Sequence, residues 1–223
     1  MPSSKEEKVY KVFEAISEGY DDANTRISLG MEKSWKQNLI DLYEPGLKLL
    51  DVCCGTGDIA IALNGNGCEV TGLDFSPAML EVAKKKCPDG ITWIQGNAIE
   101  LPFDDNSFDG ASISFGLRNT PDYEKVLLEM KRVVRPGGII ACLDSFVPEN
   151  TFIKFFYNIY FKGIMPHIGG QKDHKEEYDW LANSTENFLR SSELKNLFIS
   201  VGLKDVKVKK MMCGACCLHY GIK

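Results

Sequence analysis

The sequence predicts an α/β fold, a mostly parallel sheet of seven strands with helices on both faces and an antiparallel C-terminal strand. Two observations predict it. Short apolar runs alternate with amphipathic stretches between residues 46 and 147, the rhythm of repeated strand–helix units. A two-glycine loop stands between the first of those runs and the helical pattern behind it, where open sheets of this kind take ligands. With 223 residues, 44% apolar and 26% charged, the chain is long enough for one self-sufficient core and too apolar to be disordered.

The elements follow in order. Residues 1–45 place Val9, Val12, Phe13 and Ile16 at helical spacing, followed by Tyr20. The polar run Asp21-Asp-Ala-Asn-Thr-Arg26 predicts a turn. A second helical segment carries Trp35, Leu39, Ile40 and Tyr43 and stops at Pro45-Gly46. Together these form a helical cap. In the core at 46–147, KLLDVCC (48–54) is a strand running into the glycine loop. DIAIALNGNG from Asp58 is a helix that fades at glycines, and CEVTGLD (68–74) is the next strand. Ser76 caps a helix with Pro77 in its first turn. GITWIQG (90–96) is the third strand, and SFDGASISFG (107–116) holds the fourth, ending at Ser114. A helix over 122–134 stops before Pro136-Gly137-Gly138, and IIACLD (139–144) is the fifth strand.

Residues 148–190 break the rhythm with the aromatic run TFIKFFYNIYFKG, the polar GGQKDHKEE and then YDWLANSTENFL. They read as an insertion covering an opening in the sheet. Over 191–223, SSELKNLFISVG is a last helix, and LKDVKVKK and CGACCLHYG are an antiparallel pair closing the sheet. The expectation is one domain over 1–223.

Charge and cysteine content exclude several classes. Lysine plus arginine is 26 against 31 acids, a net charge of -5, so a nucleic-acid partner is not expected. No stretch approaches the roughly 18 unbroken apolar residues of a membrane span, and the polar start MPSSKEEK has no signal-peptide core behind it. The expected location is the cytoplasm. Of the eight cysteines, Cys53-Cys54 and Cys216-Cys217 are adjacent pairs, which bridge poorly, so reduced thiols are expected. Cys213, Cys216, Cys217 and His219 resemble a metal set on paper, but an alternating strand points them to opposite faces, and no metal is expected.

The informative segment is Asp51-Val-Cys-Cys-Gly55-Thr56-Gly57-Asp58. Three nucleotide-like ligands compete for it. A nucleoside triphosphate lacks its Gly-Lys-Ser/Thr. A dinucleotide fits the spacing of Gly55, Gly57 and Ala60, with Asp74 at a suitable distance. Against it stand Asp51 and Asp58, two carboxylates where a pyrophosphate wants amides and helix N-termini. S-adenosylmethionine, with its ammonium and sulfonium, has the opposite preference. Asp51 then faces the ammonium, directly or through water, and Gly55 and Gly57 allow close approach. Asp74, at the end of the second strand, accepts the ribose hydroxyls, a role it would also have for a nicotinamide cofactor. Asn97-Ala98 follows the third strand, where it reads the adenine edge, and Ser114 adjoins the crevice.

At this point a resemblance is visible. The chain resembles the class I S-adenosylmethionine-dependent methyltransferases, whose sheet is Rossmann-like. Within them it is similar to the C-methyltransferases of menaquinone and ubiquinone biosynthesis. The likeness rests on VFEAISEGYDDAN near the start, LLDVCCGTGD, GLDFSPAMLEVAKKK, NAIELPFDDNSFD, EMKRVVRPGG and the ending GACCLHYGIK. SFGLRN (114–119) is its most specific piece. The resemblance implies cofactor contacts at Thr56, Asp74, Phe75, Asn97, Ala98 and Ser114, with Asp51, Gly55 and Gly57 in the general loop. It implies C-methylation of demethylmenaquinol or a related polyprenyl quinol. The chain departs from the family at Gly30-Met31-Glu32-Lys33-Ser34-Trp35, where Gly-x-His-Arg-x-Trp is usual, at Asp144 in place of Glu, and in NSTENFLRSS, which lacks a proline. These departures keep another small aromatic or polar acceptor open as an alternative. A binding protein without turnover and a nicotinamide oxidoreductase are the competing classes.

A quinol gives up its phenolic proton as carbon attacks, and the ring carbon later loses its own, so the chemistry wants a group that holds phenolate charge and a proton acceptor. Arg118 is the candidate for the first, Asn119 for hydrogen-bonding a hydroxyl, Tyr20 for orienting the ring, and Asp144 for accepting a proton through water. Each has a plain alternative: Arg118 pairing with Asp122 or Glu124, Tyr20 packing, Asp144 capping a turn. His174 reads as solvated, and His219 as a strand-end structural residue. Phe152, Phe155, Phe156, Tyr157, Tyr160 and Phe161 line a greasy pocket for a tail, form the core face of a helix, or meet another subunit, which leaves a homodimer open. Lys154 and Lys162 flank them, and transient contact with the inner face of a membrane is an expectation.

Overall fold

In a computed structural model, residues 4–159 and 175–223 are described. The expectations on Tyr160, Phe161, Lys162 and His174 fall outside these residues. The N-terminal region is α1 (Ser4–Ile16), a 3-10 turn, α2 (Tyr20–Ile27) and α3 (Glu32–Ile40). The core then runs β1 (Lys48–Val52), α4 (Asp58–Gly65), β2 (Glu69–Asp74), α5 (Pro77–Lys86), β3 (Ile91–Gln95), β4 (Phe108–Ser114), α6 (Tyr123–Val133) and β5 (Val134–Ser145). After it come α7 (Thr151–Asn158), α8 (Lys175–Glu186), α9 (Ser191–Ser200), β6 (Lys204–Met211) and β7 (Cys216–Ile222).

The strands make one seven-stranded sheet in the order β3-β2-β1-β4-β5-β7-β6. β3, β2, β1, β4 and β5 run parallel, and β7 is antiparallel to both β5 and β6. Chain order reverses between β1 and β4, so their carboxyl ends splay apart into a crevice. Leu49 and Leu50 show how one strand feeds two cores. Leu50, with Val52, Ala111 and Ile113, packs under α6 and α9 against Leu127, Met130, Leu194 and Phe198. Leu49 faces the other way, against Leu39, Ile40, Ile59 and Leu63 of α3 and α4. A third, smaller cluster joins the cap to α5 and α8. Val12, Ile16, Ala23 and Met79 are buried there with Phe13, Tyr20, Trp180 and Leu181 beside them.

Three sequence expectations are corrected. The run Asp21–Arg26 is helical within α2, not a turn. Its acids Asp21 and Asp22 occupy the first turn and Arg26 the last, both favourable to the helix dipole, while Ala23 is buried on the inner face. Secondly, β5 already begins at Val134. Register against β4 jumps from Phe108↔Val134 to Gly110↔Ile139, so Arg135–Gly138 form a bulge inside the strand. Gly138 is fixed there because a Cβ would lie 2.3 Å from the Asp109 carbonyl. Thirdly, the departure around Glu32 shapes a helix junction rather than the crevice. Glu32 is buried and accepts hydrogen bonds from Thr25 (2.8 Å) and Ser28, clamping α2 to α3. These two hydroxyls hold its carboxyl below the usual range although burial pushes the other way.

Ser76 caps α5 as its spacing predicts, accepting from the Met79 amide at 3.3 Å. Asp122 does the same for α6 through Lys125.

Candidate active site

The crevice contains a cavity of about 350 Å³. Gly55, Asp74, Phe75, Asn97, Ala98 and Ser114 line one side, all at or just past strand ends. Tyr10, Phe13 and Tyr20 cover it from the cap, and Phe115 and Asn119 form the far wall. Asp51, Thr56, Gly57, Arg118 and Asp144 stand outside that lining.

The loop sets the near side. β1 ends at Val52 and Cys53 turns the chain with φ +54°. Gly55 has φ +54° and nothing within 4 Å of where a Cβ would stand, so a ligand can approach its backbone. Gly57 serves a different purpose from the one expected. A Cβ there would meet the Trp93 indole at 2.5 Å, so this glycine accommodates packing. Thr56 likewise turns inward and donates to Asp21 Oδ1 at 2.6 Å, tying the loop to α2. Asp21 also pairs with Lys86.

The carboxylates differ sharply. Asp74 is 5% exposed. Its Oδ2 accepts from Gly55 N and its Oδ1 from Ser76 N, each at 2.9 Å, and the Phe75 backbone also bonds it, which leaves part of its acceptor capacity free. Asp51 is buried and accepts from Ser112 Oγ at 2.9 Å through Oδ1, while Oδ2 has no partner. Burial pushes its pKa up to about 7, with Asp74 and Asp58 adding to the rise and Ser112 resisting it. Asp58 is not the bare charge that the sequence implied. Lys36 and Lys86 each hold it at 2.8 Å and, against burial, keep its pKa below the usual range. The charge that counts at the loop is therefore Asp51 together with Asp74. An unpartnered buried oxygen fits a cationic amine, and the spare lone pairs of Asp74 fit a vicinal diol.

The far wall centres on the 3-10 turn Leu117–Asn119, just past β4. Asn119 is buried, donates from Nδ2 to Phe115 O at 3.3 Å, and leaves Oδ1 without a partner. Since the carbonyl fixes which end is the amine, the free acceptor belongs to the oxygen. Arg118 is 8% exposed and lies behind the wall, its guanidinium 5.9 Å from the Phe115 ring centre. It pairs with Asp144 and donates through Nε to Ser184 Oγ at 3.2 Å. The alternatives Asp122 and Glu124 are not what holds it; Asp122 caps α6.

Asp144 also departs from its expected place. It is 0% exposed. Oδ1 accepts from Arg118 and from Ser145 N at 2.8 Å, and Oδ2 accepts from Arg118 N at 3.3 Å. A carboxylate so enclosed and so bonded has no path for a water-borne proton, and it acts as the counter-ion that holds Arg118. Burial raises the Asp144 pKa while Arg118 pulls against that rise. Burial likewise opposes the charge on Arg118, but Asp144 outweighs it and the guanidinium stays charged. Burial raises the Tyr20 phenol despite nearby Arg118, so it keeps its proton.

Sequence reasoning brought Tyr20 of the cap over the crevice, where it lies, but missed the cap's other contacts there. Glu14 Oε1 accepts from Ser76 Oγ at 3.0 Å and Ala78 N at 3.2 Å, and Tyr10 meets Phe75 edge-on at 5.9 Å. No local signal marks contacts across more than sixty residues. His219 is fully buried, with Nε2 at 2.9 Å from Ser191 O and Nδ1 unpartnered.

A model of the ubiE/COQ5 methyltransferase family matches residues 1–223. The chain belongs to that family. It is 45% identical to the demethylmenaquinone methyltransferase of Staphylococcus epidermidis, covering 99% of this chain and 95% of that one. Identity to the Shouchella clausii enzyme of the same name is also 45%, covering 100% and 99%. Among solved structures, a methyltransferase from Thermotoga maritima superposes with a TM-score of 0.69 at 20% identity, covering 96% of this chain and 99% of that one. A Haemonchus contortus phosphoethanolamine N-methyltransferase, solved with S-adenosylmethionine, gives 0.59 at 24% identity, covering 79% and 39%. The fold of this methyltransferase is thus the class I S-adenosylmethionine-dependent one, as the sequence predicted.

Proposed function

We propose that the chain transfers a methyl group from S-adenosylmethionine to a ring carbon of demethylmenaquinol, and that it holds the two reactants in the two halves of one crevice. The unpartnered Oδ1 of Asn119, a residue of the cavity's far wall beside Phe115, carries this reading. The methyltransferase family and the names of its full-length relatives support it.

When bound, the cofactor supplies an electrophilic methyl on a positively charged sulfur. Everything else falls to the chain's own residues. Asp51 Oδ2 takes the ammonium, the Gly55 backbone lets the ligand close, and Asp74 accepts the ribose hydroxyls. Asn97 and Ala98 border the adenine, with Phe75 beside it and Ser114 at the methyl end. Thr56 and Gly57 keep the loop in shape through Asp21 and Trp93.

On the substrate side Asn119 Oδ1 accepts a phenolic hydroxyl. That hydrogen bond polarises the O–H bond and raises electron density at the ring carbon, and the proton which that carbon must give up after methylation leaves to solvent. Arg118, fixed by Asp144, stabilises the developing phenolate from behind the wall, in a pocket where the surroundings screen its charge weakly. Tyr20 is protonated and orients the ring as a donor. Phe13 and Phe115 exclude water, which strengthens these interactions and aligns the reactants. A substrate with a polyprenyl tail resides in a bilayer, so the protein would work at the inner membrane face as a peripheral visitor.

Incubation with methyl-labelled cofactor and a short-chain demethylmenaquinol under reducing conditions tests the assignment. Label is expected on the quinone ring. Label in unrelated phenols with none in the quinol would replace the substrate.

A further inference from the structure

α7 is amphipathic with its apolar face turned outward. Ile153 and Tyr157 point toward the protein, and Tyr157 lies close enough to Arg118 to feel its charge. On the opposite side Phe152 is 73% exposed, Phe155 60%, Phe156 54% and Ile159 49%. The rings of Phe152 and Phe156 stand 5.1 Å apart and those of Phe155 and Phe156 5.5 Å apart, so they form one continuous ridge. An apolar ridge of this size on a soluble surface marks a contact.

Charge tells what meets it. The chain as a whole is acidic, yet residues 195–210 hold Lys195, Lys204, Lys207, Lys209 and Lys210 against a single acid, Asp205. All five lysines are exposed. Lys195, Lys207, Lys209 and Lys210 line an open hollow of about 680 Å³ between α9 and the edge strand β6, on which Lys204 also lies. The start of α7 is tied to this edge. Glu149 accepts from Ser192 N at 3.2 Å on α9, and its other oxygen pairs with Lys210 of β6 at 3.5 Å. Aromatic ridge and lysine edge are therefore neighbours. A second copy meeting this face about a two-fold axis would set lysines near lysines. A bilayer offers apolar depth for the rings and acidic headgroups for the amines at once.

We propose that the outer face of α7 and the lysine edge of β6 and α9 form a docking surface for an anionic lipid bilayer. The proposal rests on the lipophilic-substrate reading above and gives it a place. Docking there sets the inner face of α7, and with it the wall holding Arg118, beside the membrane from which a tailed quinol is drawn.

Flotation of the full chain with two vesicle types tests it, one of phosphatidylcholine alone and one containing phosphatidylglycerol. The wild type is expected to float with the second and to be released by salt. Phe152→Ser with Phe155→Ser, and separately Lys204→Glu with Lys207→Glu, should each weaken that association at least about tenfold. Both should leave turnover of a short-chain, water-soluble quinol unchanged. Thermal unfolding checks that the variants are folded, and the lysine pair, fully on the surface, keeps the test valid if the phenylalanine pair is not. A wild type that methylates the soluble quinol yet ignores anionic vesicles overturns the docking surface and spares the function. A wild type that floats but never methylates a quinol supports the surface and overturns the function. A dimer in solution that the phenylalanine changes split, with no effect on flotation, assigns the ridge to a second copy and overturns the lipid.

Discussion

Asp51 and Asp144 are both buried carboxylates near the ends of parallel strands, 1% and 0% exposed, yet they do opposite work. Asp144 has its cation built in: Arg118 supplies a side-chain and a backbone donor, and Ser145 a third. Asp51 has one hydroxyl from Ser112, the Ala60 backbone amide acting on it to lower its pKa, and an Oδ2 without a hydrogen-bond partner. A buried charge left without a partner is costly, and its pKa climbs in consequence. Asp51 stands behind the cavity lining, and the proposed ligand ammonium, reaching it directly or through water, would supply the missing partner. The pair teaches where the reaction divides. On the proposed function, the β1 side is completed by the cofactor, whereas the β5 side is complete beforehand and stands ready to polarise the substrate.

The largest effect should come from breaking the built-in pair. Asp144→Ala leaves Arg118 charged and buried, which should cost about 3–5 kcal/mol of stability, read from denaturant midpoints. Replacing both partners by apolar residues should cost clearly less than Asp144→Ala alone. Equal losses would mean that the pair is not what holds this region.

His219 gives a stability effect of a sign opposite to that of Asp51. Burial depresses its pKa to about 4, partly offset by its bond to Ser191. Between that value and the ordinary imidazole pKa near 6.5 the unfolded chain binds the proton more tightly, so stability is lost as pH falls across this window, by up to about 3 kcal/mol. Asp51, raised to about 7, binds its proton more tightly when folded, so its contribution to stability is lost as pH rises from about 4 to 7 and the loss levels off above that. His219→Asn should flatten the acid side of a stability profile, and Asp51→Asn the neutral side. Unchanged profiles would remove both groups from the account.

The division of labour is sharpened by two further substitutions. Asp74→Ala should weaken cofactor binding about a hundredfold, through two lost bonds to a charged acceptor. Arg118→Ala should slow methyl transfer by a comparable factor and leave calorimetric cofactor affinity nearly intact. Equal loss of affinity in both would erase the distinction between the two sides.

Much of this was legible in the residues. The periodicity of 46–147 located every parallel strand, because each carries its own apolar run and its own capping or turn residues, as at Ser76. Gly55, Asp74, Phe75, Asn97, Ala98 and Ser114 line the cavity where the strand ends put them. Other facts are set by distant partners and leave no local mark. Lys36 and Lys86 neutralise Asp58 across 22 and 28 residues. Trp93, on another strand, demands Gly57. Arg118 finds Asp144 across 26 residues rather than the nearer Asp122. The run at 21–26 looked like a turn because its residues are polar, and its helix is decided by the face that Ala23 buries against α1 and α5.

Asp51 is the group on which the proposed cofactor side depends, as the acceptor for the ammonium. Titration calorimetry of the wild type and Asp51→Asn with S-adenosylmethionine, between pH 6 and pH 7.5, tests it most directly. In the wild type only the ionised fraction of a carboxyl with pKa about 7 is competent, so affinity should rise about tenfold over that range. Asp51→Asn should bind more weakly and without this dependence. A wild type that ignores S-adenosylmethionine and takes up a pyrophosphate cofactor, or one whose affinity is flat with pH and untouched by Asp51→Asn, would contradict it.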